Sequence, residues 1–129
     1  MNKNVDYKKY EEEVKHSFEN TKEYKEYTKK YTNGITKEKS EELTKEMNLI
    51  FKEFSNLMIN KVNIKSDLVK NQVNKLQNFI TNNFYKCSNE ILLELGKMYT
   101  SDERFKKNID IHAIGTAEYV NEAIKEYCY

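Results

Sequence analysis

The chain contains no proline and no tryptophan, and only three glycines, two cysteines and one arginine among its 129 residues. With the two strongest helix breakers almost absent and 33% of the residues charged, mostly Lys and Glu, helix is favoured nearly everywhere and the expected class is all-α. The two cysteines, Cys87 and Cys128, lie far apart and outside any CxxC, which excludes a zinc ribbon and a disulfide framework. An excess of one charge sign is missing as well. Twenty-two basic residues face 21 acidic ones for a net charge of +1, interleaved along the chain, so there is no field to gather a polyanion and direct nucleic-acid binding is not expected. Long apolar runs are absent: MNKNVDYKKYEEE lacks the apolar core of a signal peptide, and no segment approaches the about 18 residues of a membrane span. A reduced cytoplasmic setting without membrane contact is the expectation.

What is present fits a single domain over 1–129, long enough to bury roughly two-thirds of its unfolded surface without metals or disulfides. Tyr10, Val14 and Phe18 recur at steps of four on a short first helix. Tyr24, Tyr27 and Tyr31 then form the only semi-apolar stripe of a second, closed by Asn33-Gly34. From Thr36 to about Asn60 the apolar period is strong: Leu43, Met47, Ile50, Phe51, Phe54, Leu57 and Met58. Ser66 caps a second long helix with Leu68, Val69, Val73, Leu76, Phe79, Ile80 and Phe84 inward, and these two should form the main antiparallel hairpin. Ser88 caps NEILLELGKMY, and Ser101 or Asp102 starts the short DERFKKNI helix with acids first and lysines later. A last helix uses Ile114, Ala117, Val120, Ala123, Ile124 and Tyr127. About six to seven helices are expected, with no internal repeat.

Few residues offer chemistry. Cys87 reads first as a small buried hydrophobe, and only if exposed would its place at a helix start make it reactive. His16 sits on a charged helix face and His112 in the turn before Gly115; neither pattern supports a haem ligand or a metal site, and no cofactor is expected. Asp102, Glu103 and Arg104 suit a helix start, and no nucleophile triad, phosphate loop or supported carboxylate pair occurs, so an enzyme is not expected. Ten tyrosines and six phenylalanines remain, and the same residue types build cores and line pockets for large apolar ligands.

The run FYKCSNEILLELGKMYTSDERFKKNIDIHAIGTAEYVNEAIKEY strongly resembles the thiostrepton-induced protein A antibiotic-recognition domain family, TipAS. The matching positions are Phe84, Tyr85, Cys87, Gly96, Met98, Tyr99, Asp102, Arg104, Phe105, Gly115 within the last helix, Ala123 and Ile124. Tyr10-Glu11-Glu12, Phe18, Thr21 and Tyr24 resemble the family's opening helices more loosely, with Phe18-Glu19 where the family usually has Trp-Gly. The resemblance implies a globin-like helical domain that binds bulky, largely apolar peptide antibiotics of the thiopeptide kind in a cleft. Such domains act as the effector part of MerR-type transcriptional regulators or stand alone as drug-binding resistance proteins. It further implies that residues 1–35 serve as a mobile lid, a role that suits a tyrosine-rich segment with little aliphatic surface to offset its ordering entropy. Candidate ligand-binding residues are Phe18, Tyr24, Tyr27, Phe54, Phe79, Phe84, Tyr85, Cys87 and Tyr99. Some family members capture thiopeptides covalently through a cysteine one to two turns beyond the one matched by Cys87. Seven residues on, this chain has Glu94, so noncovalent binding is expected. The rival class is a helical protein-interaction module that docks a partner on its tyrosine-rich face. The oligomeric state is left open.

Overall fold

The computed structural model describes residues 35–129 together with Lys22 and Lys25. The two expected opening helices, the lid and the candidates Phe18, Tyr24 and Tyr27 lie outside the described residues. Five helices and no strands are found within them: α1 Lys37–Ile59, α2 Asp67–Asn83, α3 Asn89–Ser101, α4 Glu103–Asp110 and α5 Thr116–Cys128. None is long and apolar enough to cross a membrane.

Local chemistry starts four of the five. The hydroxyls of Thr36, Ser66 and Ser88 accept from the backbone N–H of Lys39, Val69 and Ile91, and the Asp102 carboxylate accepts from Arg104 N at 2.9 Å. Each satisfies one of the donors that a helix start leaves orphaned. Burial alone would push the Asp102 carboxyl up, but the Arg104 N–H and guanidinium hold it below the usual carboxylate range. The fifth start is different. The N-cap of α5 is Gly115, in the left-handed region at φ 96° with no side chain to offer, and the cap is supplied from the preceding helix, where Asp110 Oδ1 accepts from Ala117 N at 2.9 Å. The last helix thus begins after the glycine. Ile114, expected on its inner face, is instead 92% exposed, and Leu68, expected inward on α2, is 65% exposed, because Val69, Val73 and Leu76 hold the inward positions of that turn pattern.

The core runs through all five helices, with Leu43, Phe54, Val69, Val73, Leu92, Leu95, Tyr99 and Val120 fully buried. The α1–α2 hairpin forms as expected, yet the most intimate pair is α3 with α5. Gly96 explains the approach: a Cβ there would sit 2.7 Å from Asn121 Oδ1 and 3.3 Å from Ile124 Cδ1. An aromatic cluster links α1, α3 and α4, with the Tyr99 ring edge-on to Phe51 at 5.6 Å and tilted against Phe105 at 5.8 Å. Buried polar contacts fasten α5 to the rest. Ser55 and Thr116 hydroxyls meet at 2.7 Å, and Tyr119 O–H donates to Val62 O at 2.6 Å.

His112, in the α4–α5 corner, is half-buried and its Nε2 is enclosed with no hydrogen-bond partner among the described residues. Burial first and the Lys52 charge second push its pKa below 6.5. The folded state therefore favours neutral imidazole, and the unfolded chain binds the proton more readily at mildly acidic pH. Stability is fully present above pH about 6.5 and is lost as pH falls from there through the folded pKa. Thermal melts should be flat between about pH 7 and 8 and decline below about 6.5, and His112→Gln should flatten the decline. An unchanged slope in that variant would remove His112 from the account.

Candidate functional site

The sequence-derived candidates that the structure describes are all inside. Phe54 and Tyr99 are 0% exposed, Tyr85 3%, Phe79 4%, and Phe84 and Cys87 5%. All six belong to the one buried core; within it, Tyr99 packs in the α1–α3–α4 aromatic group, whereas Phe79 and Phe84 pair edge-on at 5.7 Å at the end of α2. Cys87 sits in the α2–α3 corner, where its N–H donates to Thr81 Oγ1 at 3.1 Å, its carbonyl accepts from Gln77 Nε2 at 2.9 Å and its thiol lies 3.8 Å from Ser88 O. Cys128 Sγ lies 3.7 Å from the neighbouring carbonyl of Asn89, and burial pushes that thiol up. Glu94 is on the outer face of α3, 3.5 Å from Lys97, so no thiol occupies that position.

Of these residues, Phe79 reaches a surface recess. Together with Ile50 it floors a groove of about 320 Å³ between α1 and α2, whose walls are Glu46, Asn71, Asn74, Lys75, Asn78, Asn82 and Asn83. That volume is at the lower end of small-ligand pockets, enough for one edge of a bulky ligand. Lys75 Nζ reaches Glu53 Oε1 at 2.7 Å beside it, and the Gln72 amide donates to the same carboxylate at 3.2 Å and to Ile50 O at 3.1 Å. Burial would raise the Glu53 carboxyl, but these hydrogen bonds and the Lys75 charge more than offset it and hold it low. The groove therefore has the Lys75–Glu53 ion pair beside it, the Glu46 carboxylate on its α1 wall and an amide-rich α2 wall. A second concavity of about 390 Å³ at the α4–α5 corner is lined by Glu103, Lys106, Lys107, Asp110, Ile111 and Ile114. It lacks a buried aromatic floor, and its Lys106 is engaged by Glu118 at 3.2 Å.

The asparagine wall was not anticipated from the sequence, although a signal is there. Asn71, Asn74, Asn78 and Asn82 recur at steps of three and four along the outward face of a 17-residue helix, in a chain that otherwise dresses such faces with Lys and Glu. Asparagine is a poor helix former because its amide competes with the backbone, at about 0.5–0.7 kcal/mol per residue relative to Ala. Three such residues in the helix interior cost about 2 kcal/mol, a systematic expense on one face that helix formation alone does not explain. Among the described residues no group of three or more His, Cys, Asp or Glu is placed to hold a metal ion.

The core is all-helical and closed by the α3–α5 pair, with an aromatic-floored groove on its α1–α2 side. The TipAS antibiotic-recognition domain model matches residues 10–127, and the chain belongs to that family. Two relatives, the HTH-type transcriptional activators TipA of Streptomyces coelicolor and of Streptomyces lividans, are each 35% identical over 115 residues, 89% of this chain and 45% of theirs. The chain thus spans about half the length of these relatives. Among solved structures, TipAS of the Streptomyces lividans thiopeptide antibiotic multidrug resistance system, in complex with nosiheptide, matches with a TM-score of 0.81 and 32% identity. That match covers 96% of this chain and 86% of the other.

Proposed function

We propose that the domain recognises bulky peptide antibiotics of the thiopeptide kind by noncovalent burial. It would do so as the effector part of a transcriptional activator or as a protein that sequesters the drug. The observation that carries this reading is the likeness to a TipAS domain holding nosiheptide, close in sequence as well as in fold and extending over nearly the whole chain. Membership of the family and the activator relatives support the same direction. The α1–α2 groove supplies apolar floor in Ile50 and Phe79 and an uncharged asparagine face on α2, a combination that suits a ligand with aromatic faces and peptide amides. Residues 1–35, with Phe18, Tyr24 and Tyr27, serve in this reading as the lid that orders over the ligand, and their tyrosines supply stacking surface.

Nosiheptide titrated into the protein should bind with a large negative heat-capacity change and a gain in helicity by circular dichroism, because lid ordering buries apolar surface and forms helix together. The protein should be recovered at its unmodified mass, since Glu94 stands where capture would need a thiol and Cys87 is buried. Binding without a heat-capacity or helicity change would dispose of the lid; no binding of nosiheptide would dispose of the function; a covalent adduct would overturn the noncovalent mode.

A further inference from the structure

The wall of the α1–α2 groove is a hydrogen-bond chain with a single direction. Gln77 is its anchor: Nε2 lies 2.9 Å from Cys87 O and 2.9 Å from Asn89 Oδ1. A backbone carbonyl can only accept, so this end of the Gln77 amide must be the nitrogen and Oε1 must face the other way. Tyr127, on α5, then donates its only hydroxyl proton to Gln77 Oε1 at 3.0 Å. With that proton committed, the phenol oxygen accepts from Asn74 Nδ2 at 3.0 Å. Asn74 Oδ1 is thereby turned toward Asn78 and accepts from its Nδ2 at 3.0 Å. Every donor along the relay points toward Gln77, so the last carboxamide, Asn78, which lines the groove, keeps its Oδ1 outside the relay as an acceptor. Neither that oxygen nor the carboxamide of Asn71, one helical step before Asn74, has a partner among the described residues.

We propose that this ladder, Asn71 through Asn74 to Asn78, reads the backbone amides of a peptide ligand. In it, Asn78 Oδ1 accepts a ligand N–H and the Asn71 carboxamide pairs with a neighbouring amide, while Tyr127 acts as a positioning residue that keeps Asn78 in its accepting orientation. The inference rests on the antibiotic-binding reading above and adds the residues that select the ligand's chemistry. Carboxamides present a donor and an acceptor side by side without charge, the same pattern a peptide bond presents, so pairing involves no stranded ion. Because the relay fixes Asn78 before the ligand arrives, little rotamer entropy is lost on binding. The Ile50 and Phe79 floor beneath would hold the apolar body of the ligand while the wall reads its edge.

The test uses the full chain, nosiheptide and asparagine-selective 15N labelling. In the wild type, the side-chain amide signals of Asn71 and Asn78 should shift on saturation. Asn71→Leu combined with Asn78→Leu should weaken binding about tenfold, since each net hydrogen bond is worth roughly two- to tenfold in affinity. Leucine is the better helix former at these exposed sites, so an unchanged or raised melting temperature would separate lost recognition from lost folding. Tyr127→Phe should move the amide signals of Asn74, its direct partner, and of Asn78, one step further along the relay, in the ligand-free protein and weaken binding about two- to threefold; the Asn78 shift is the effect that simple packing would not produce. Wild-type affinity in the double variant, or unmoved Asn71 and Asn78 signals in the wild-type complex, overturns the ladder and leaves antibiotic binding standing. Failure of the wild type to bind nosiheptide overturns both.

Discussion

Replacing Tyr99 by alanine should destabilise the ligand-free domain by about 3–5 kcal/mol, the usual loss for an aromatic ring removed from a packed core. The ring is fully buried on α3 and braced by Phe51 from α1 and Phe105 at the start of α4, so three helices lose a shared packing partner at once. The geometry limits relief: Phe51 and Phe105 meet Tyr99 from different directions, and neither can fill the void without giving up its own contacts. Against a typical total stability of about 5–15 kcal/mol, this is a large share, equivalent to a fall in melting temperature of roughly 10–20 °C. Tyr129→Ala, at a position 90% exposed, should stay within about 0.5 kcal/mol and serves as the control. Urea unfolding without antibiotic decides between two roles for Tyr99. If Tyr99→Ala unfolds like the wild type and loses only antibiotic affinity, the residue belongs to the cleft wall and not to the frame.

Thr116→Val should cost about 1–3 kcal/mol, although it exchanges one buried side chain for another of nearly the same shape. Thr116 is 0% exposed, and its hydroxyl donates to Ala113 O at 2.6 Å. Since that uses its only proton, Ser55 must be the donor in the 2.7 Å contact between the two hydroxyls. Valine therefore strands the Ser55 hydroxyl, 2% exposed, and removes the donor to Ala113 at the turn that starts α5. Ser55 has one escape, a rotation onto the carbonyl one turn back in its own helix, which places the expected value in the lower half of that range. The Ser55→Ala, Thr116→Val double variant should recover part of the loss, because nothing polar is then left unmatched on α1. Chemical denaturation of the four proteins of this cycle measures the coupling directly. A coupling near zero would mean that the hydroxyl pair contributes nothing beyond its volume.

Much of the scaffold could be read along the chain. The apolar period of Leu43, Met47, Ile50, Phe51 and Phe54 and the caps at Ser66 and Ser88 act within a turn or two of helix, and there the expectations and the structure agree. The family signature was legible for the same reason, being a string of residues at short fixed spacings. Where reading failed, the competing choice was a matter of a neighbouring element. Leu68 and Ile114 look apolar enough to be core, yet inward positions are allotted by which residues α1 and α3 present opposite them. The candidate aromatics were ambiguous for a deeper reason, since a ring against the core and a ring at the floor of a groove have the same local pattern. Phe79 reaches the groove and Phe54 does not.

By itself, then, the sequence determined helical class, the positions of three helix starts at Thr36, Ser66 and Ser88, the family, and the absence of a thiol at Glu94. Only the tertiary structure decided why Gly96 must be small, why α5 starts on a bare glycine with its cap donated by Asp110, and which way the Asn78 carboxamide points. The physical reason is separation along the chain. Tyr127 and Gln77 stand 50 residues apart and Ser55 and Thr116 61 apart, so their hydrogen bonds, and the groove wall that the first pair orients, exist only once distant helices have packed.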